Sequence, residues 1–198
     1  MAPRPRLLLL DEPFSSQDIE LRNQLAAEVR DILRIDNATA LLVTHDQQEA
    51  FAFADVIGVM DTGNLAQWDS AYNLYHQPST RFVADFIGHG VFVSGTVGSD
   101  NSIESPLGVM AGDMDSEFSP GTRVDFLVRP DDVIHDDESP HTGTVISKSF
   151  RGADFMYTLE LNGSIRVLCL APSHHDHAIG EKIGIRLELD HLVAFPRE

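Results

Sequence analysis

Leu7-Leu8-Leu9-Leu10-Asp11-Glu12-Pro13, followed further on by Thr39-Ala40-Leu41-Leu42-Val43 and Thr44-His45-Asp46, decides how the first part of this chain folds. Four leucines fall far short of a membrane span and read as a strand buried on both faces of a parallel sheet. Two acids close that strand at its carboxyl end, where open α/β sheets gather their ligands. Asp11 is placed there to hold Mg2+, directly or through water, and Glu12 to orient or deprotonate an attacking water. His45 closes the second apolar strand and is expected at the same sheet edge. The plainer alternative is two loop acids and a histidine beside a helix cap.

Between the two strands, Leu21, Leu25, Val29 and Ile32 recur at helical spacing, with Ile19, Leu33 and Ile35 widening the stripe and Asp18 as N-cap. A shorter helix is expected over Gln48–Ala54, a strand over Asp55–Met60 and a turn at Asp61-Thr62-Gly63-Asn64. Closing helices are expected over Ser70–His76 and Pro78–Ile87, with Tyr72, Tyr75, Phe82 and Phe86 filling a core.

Near Gly88-His89-Gly90 the pattern changes to short strands and turns. Strands are expected at 90–97, 123–130, 143–149, 155–161, 165–170, 183–188 and 192–195, with Asn162-Gly163 as a hairpin turn. Repeated short strands of this kind build a small barrel or sandwich.

Acids outnumber bases by 31 to 14, with 13 against 6 up to Gly88 and 18 against 8 beyond it, so neither part offers the basic track that a nucleic-acid partner needs. No apolar run reaches membrane-spanning length. Met1-Ala2-Pro3-Arg4-Pro5-Arg6 is basic, but Asp11 and Glu12 interrupt the apolar stretch a signal peptide would require. The single cysteine, Cys169, alternates as a strand residue and excludes an internal disulfide framework.

Leu7 to Asp18, continuing through Leu21-Arg22, resembles the second acidic motif and D-loop of an ABC transporter ATPase, and Thr44 to Ala50 resembles its switch-histidine region. The pattern is similar to the long-form import ATPases of maltose, polyamine and ferric-iron uptake. Gly63, Leu65-Ala66-Gln67-Trp68, Leu74-Tyr75, Pro78 and Phe82 to Gly88 resemble the end of their nucleotide domain, and the remainder resembles their regulatory TOBE extension. Phe150-Arg151-Gly152-Ala153 and Pro172 to Gly180 resemble that extension in ferric-iron importers.

The resemblance implies an α/β partial P-loop NTPase of the ABC type over residues 1–88, followed over 89–198 by a small all-β barrel of OB-like, TOBE type. It implies Asp11 in the Mg2+ shell, Glu12 as catalytic base, His45 at the γ-phosphate and Asp18 in communication across an ATPase dimer, with Gln17 standing where the family has leucine. Implied partners are a second ATPase subunit, transmembrane permease subunits and, indirectly, a periplasmic or extracellular substrate-binding protein, at the cytoplasmic face of the membrane. The sequence contains no G-x-x-x-x-G-K-[ST] run and no serine-glycine signature motif, which together wall each ATP in this family. ATP and Mg2+ are therefore expected in the complete subunit, no tightly bound cofactor is expected on this chain alone, and the isolated chain is expected to be inactive. A noncatalytic regulatory or dimerisation protein and an iron-responsive binding module are the alternatives.

His174-His175-Asp176-His177 and the acidic stretch Asp131-Asp132, His135-Asp136-Asp137-Glu138 hold metal-ligand side chains. Their spacing specifies no site, because neighbours in an extended loop point apart and four ligands in four positions do not satisfy one geometry. Both are expected as structural or exposed loops, with no tight ferric site at His174, His175 and His177.

Overall fold

β1 (Leu7–Asp11) runs parallel to β2 (Thr39–Val43), so the two apolar runs lie side by side with Asp11 opposite Val43. The computed structural model describes residues 5–100, 102–112, 114, 118–162 and 165–197. They form two compact units, Met1–Leu74 and Tyr75–Glu198. The first is mixed α/β and the second is an all-β, TOBE-like, nearly closed barrel carrying a short helix.

In the first unit, α1 (Ile19–Ile35) connects β1 to β2, capped by Asp18, whose side chain accepts from the Leu21 amide at 2.9 Å. The core on this side joins Phe14, Ala26 and Phe53 with Leu10, Leu25, Val29, Leu33, Ala40 and Leu42. Leu7, Leu9, Leu41 and Val43 are exposed, so the sheet is buried on one face rather than both. The reason is its width: among the described residues it has two strands, and the packed helical side chains cover the face bearing Leu10, Ala40 and Leu42.

The stripe on α1 also needs correction. At about 100° per residue, Leu25, Val29, Leu33 and Ala26 share one arc while Leu21, Ile32 and Ile35 fall beyond its edge. These three are exposed, Ile35 by 84%. The side chain of Ile19 lies outside the described residues.

After α2 (Gln47–Phe53), β3 (Ile57–Asp61) and β4 (Asn64–Asp69) form an antiparallel hairpin through Thr62 and Gly63, both at positive φ, as the turn chemistry predicts. α3 (Ala71–His76) and α4 (Arg81–Ile87) follow. Their buried residues are Leu74, Val83, Ala84 and Ile87, whereas Tyr72, Phe82 and Phe86 are exposed, contrary to the expected aromatic core. Phe82 and Phe86 lie four apart on one helix face and stack on each other at 5.7 Å.

The barrel is built from two five-stranded sheets. The first contains β5 (Val91–Val97), β6 (Ile103–Ser105), β7 (Gly108–Met110), β8 (Arg123–Val128) and, last in the chain, β14 (Ala194–Pro196), in the order β14-β8-β5-β6-β7. The second contains β9 (Val133–His135), β10 (Thr142–Phe150), β11 (Asp154–Leu161), β12 (Ile165–Pro172) and β13 (Lys182–Leu187), in the order β12-β11-β10-β13-β9. β11 and β12 pair as an antiparallel hairpin out to Leu161 and Ile165; Gly163 of the expected turn lies outside the described residues. Inward residues of both sheets meet in one core including Val93, Phe126, Val145, Tyr157, Leu159 and Val167. Cys169 belongs to it, its Sγ 3.1 Å from the Val133 carbonyl, and burial pushes the thiol up to about 11.

Arg129, 4% exposed, is the main polar anchor of this unit. Its guanidinium donates to the carbonyls of Ala84 (3.1 Å), His89 (3.3 Å) and Tyr75 (3.1 Å), and it lies 4.4 Å from the centre of the Tyr75 ring. Gly88 lets this cluster close, because a Cβ there would stand 2.9 Å from the Tyr75 ring and 3.0 Å from Arg129 Nη1. Asp132 accepts from the Arg129 amide at 2.6 Å.

Burial first, then Asp131 and Asp190, push Asp132 up to about 6 against the pull of Arg129. The folded chain therefore binds more protons than the unfolded chain between the ordinary 3.8 and about 6, and stability falls as pH rises through that window. Asp132→Asn keeps an acceptor for the Arg129 amide and removes the titration. Its melting temperature relative to wild type is expected to be higher at pH 7 than at pH 4; a pH-independent difference would refute this.

Candidate active site

Parallel pairing puts the ends of β1 and β2 together, and the Glu12 amide continues the ladder by donating to the Val43 carbonyl at 2.8 Å. Glu12 sits at φ 45°, a left-handed conformation that costs a non-glycine residue about 1–3 kcal/mol and is typical of functional turns. The glutamate carboxylate and the histidine ring meet there: His45 Nδ1 lies 3.0 Å from Glu12 Oε1. Both are accessible, with 73% of the His45 and 48% of the Glu12 side chain exposed. Asp11 ends β1 beside them, also exposed. Asp18 caps α1, its oxygen engaged by its own helix.

The His45 turn is held by residues that the strand pattern did not single out. Asp46 caps α2 by accepting from the amides of Gln48 (2.9 Å) and Glu49 (3.1 Å), and forms an ion pair with Arg22 of α1. Burial works to raise the Asp46 carboxyl, but the Glu49 amide, Arg22 and the Gln48 amide together hold it below the usual carboxylate range. Arg22 also donates to the Gln17 carbonyl at 3.1 Å, linking the turn before α1 to the turn before α2. Thr44 hydrogen-bonds the buried Glu49 and accepts from the Asp46 amide at 3.0 Å. The signal was present as Asp46-x-x-Glu49, an acidic helix-start pattern, but the Arg22 contact is not local in sequence.

The donor set suits one side of a Mg2+-nucleotide. Hard carboxylate oxygens fit Mg2+, and an accessible carboxylate beside an imidazole fits a water and a terminal phosphate. A glycine-rich cradle for the remaining phosphates is not found in the sequence.

In the second unit, the two clusters read separately from sequence converge. Asp131 and Asp132 lie in a 3-10 turn and His135 ends β9, so the first part of the stretch expected as a structural or exposed loop is a turn and a strand. His175 and His177 approach His135, while His174 is exposed. Burial holds His135 below the ordinary imidazole range.

A TOBE domain model matches residues 126–195. The spermidine/putrescine import ATP-binding protein PotA of Borreliella afzelii (strain PKo) is 34% identical over 200 residues, covering 100% of this chain and 56% of its own length. The chain is related to the ATP-binding subunits of ABC importers. The Fe(3+) ions import ATP-binding protein FbpC of Streptomyces avermitilis is 36% identical over 195 residues, 98% of this chain and 55% of its own length. PotA of Clostridium acetobutylicum is 29% identical over 198 residues, 98% of this chain and 55% of its own. The chain thus spans about half the length of the curated relatives it matches. Among solved structures, the cytoplasmic molybdate-binding protein ModG matches at TM-score 0.47 and 15% identity, over 61% of this chain and 99% of its own. Among the described residues no helix is long and apolar enough to cross a membrane.

Proposed function

We propose that residues 1–88 carry the water-activating side of an importer ATPase and that residues 89–198 are its regulatory extension. The observation that carries this reading is the 3.0 Å contact between Glu12 and His45 at the ends of two parallel strands. In this reading Glu12 orients the attacking water and takes up its proton, while His45 holds Glu12 in place and contacts the γ-phosphate. Asp11 would hold Mg2+, which neutralises developing charge on the phosphates, and Asp18 would face a second ATPase subunit.

Transmembrane permease subunits and a substrate-binding protein complete the proposed assembly, with this subunit peripheral on the cytoplasmic face. Ferric ion is the proposed cargo, supported by the likeness of Phe150–Ala153 and Pro172–Gly180 to iron-importer extensions and by the FbpC relative. The PotA relatives make polyamines the second reading.

Glu12 and His45 cannot by themselves replace the positioning and charge stabilisation of a phosphate loop and signature motif. The 198-residue chain alone is therefore expected to release phosphate from ATP no faster than its Glu12→Gln variant. ATP-dependent release by wild type that disappears in the variant would overturn the expected inactivity of the chain alone.

A further inference from the structure

Three imidazoles meet in the second unit although they are distant in sequence. His135 comes from the end of β9, and His175 and His177 from the loop after β12; one ligand nitrogen from each lies within 4.8 Å of the other two. The His135 ring centre is 4.5 Å from that of His175 and 4.9 Å from that of His177. The His135 and His177 side chains are 6% and 16% exposed.

The loop that presents two of these rings is fixed. The hydroxyl of Tyr157, whose side chain is buried in the barrel core, donates to the His175 carbonyl at 2.6 Å and accepts from the His177 amide at 3.0 Å. The His175 amide donates to the Pro172 carbonyl at 2.9 Å. Alternation along the loop sends Asp176 the other way, onto Lys148 Nζ at 2.5 Å. The spacing of 175 and 177 thus matters as i and i+2 on one side of a pinned segment, with His174 left outside.

The orientation of His177 is set as metal-binding histidines are usually set. Its Nδ1 lies 2.9 Å from Glu181 Oε1, and the other Glu181 oxygen accepts from the Ala178 amide at 2.7 Å. A carboxylate accepts only, so Nδ1 carries a proton, which leaves Nε2 as the nitrogen facing the cluster and the one available to a metal ion. That Nε2 lies 3.0 Å from His135 Nε2, which is also 3.2 Å from Asp137 Oδ1. A shared proton satisfies this pair but leaves His175 without a part in it.

We infer that His135, His175 and His177 form a three-imidazole site for a divalent metal ion of the zinc class, with Glu181 orienting His177. Tetrahedral coordination at about 2.0–2.1 Å places ligand nitrogens about 3.3 Å apart, close to the observed 3.0 Å pair and reached for the third ring by side-chain rotation. Asp137, 70% exposed, or water takes the fourth position. Neutral imidazoles favour zinc, cobalt, nickel or copper over ferric ion, a harder cation suited to oxygen donors. The site is therefore distinct from the proposed cargo and lies in the regulatory unit, where occupancy would tie β9 to the 173–181 loop.

The test is Co2+ titration of the full chain, freed of any affinity tag and stripped with chelator. One Co2+ per chain is expected, with the visible spectrum of tetrahedral coordination, displaced by Zn2+ and not by Fe3+. His135→Ala, His175→Ala and His177→Ala should each abolish stoichiometric binding, and Glu181→Gln should weaken it about 10- to 100-fold. His174→Ala should bind as wild type, which separates this site from loose chelation by a histidine run. Because Cys169 is buried against the Val133 carbonyl of β9, its resistance to thiol reagents reports that each variant keeps the barrel. His175→Ala remains decisive if His135→Ala, at a ring only 6% exposed, fails that control. No stoichiometric Co2+ on wild type, unchanged binding in folded His175→Ala, an equal loss in His174→Ala, or displacement by Fe3+ would overturn the inference.

Discussion

Glu12→Gln, placed in a complete importer ATPase subunit, is expected to slow ATP hydrolysis by about 10²- to 10⁴-fold while leaving ATP-driven association of the subunits intact. Glutamine keeps the length and the hydrogen-bond reach of Glu12, so His45 Nδ1 retains a partner at the position it now occupies, 3.0 Å from Glu12 Oε1. What is lost is the group that can take a proton from water. His45→Ala should also impair turnover, by removing both the proposed phosphate contact and the side chain that holds the carboxylate. The strained Glu12 backbone and its bond to Val43 are main-chain features, so neither substitution disturbs the β1–β2 pairing. Phosphate release at the wild-type rate by Glu12→Gln in a reconstituted assembly would show that Glu12 is not the base.

The Glu12–His45 contact was legible in the sequence because two apolar runs of strand length each end in polar residues, and parallel pairing brings such ends together. Asp18 was legible as a helix start for a similar local reason. The outward face of α1 was not: Leu21, Ile32 and Ile35 are as apolar as Leu25, Val29 and Leu33, and periodicity alone cannot tell which side of a broad stripe is covered. β6, β7 and β9 were missed because strands of three residues carry too little alternation to be seen. In β9, Val133 and Ile134 are set among Asp131, Asp132, Asp136 and Asp137, so the acids masked the strand. That one omission hid the histidine cluster. His135 reaches His177 only through the pairing of β9 with β13 and the return of the loop between β12 and β13, a non-local arrangement that residue spacing does not encode.

Amides of β1 and β2 are expected to exchange with solvent at least about 100-fold faster than those of β5, β8 and β11 in the isolated chain. The core cluster beside the two-stranded sheet holds three buried side chains, Phe14, Ala26 and Phe53, whereas the barrel core holds eighteen, both counted among the described residues. Each fully buried aliphatic or aromatic side chain contributes roughly 1.5–3 kcal/mol, so the smaller cluster has much less to set against chain entropy. The exposed face of the sheet adds to the difference. Leu7, Leu9, Leu41 and Val43 form an apolar row that gains stability once covered, by further sheet packing or by another molecule. Leu9→Ser separates those conditions: in a monomer it should leave stability nearly unchanged, because Leu9 is 67% exposed, and where the row is covered it should weaken association. Hydrogen exchange read by mass spectrometry, with the oligomeric state measured on the same sample, decides the matter. Uniformly strong protection across both units in a monodisperse monomer would mean that the two-stranded sheet is self-sufficient and its leucine face needs no cover.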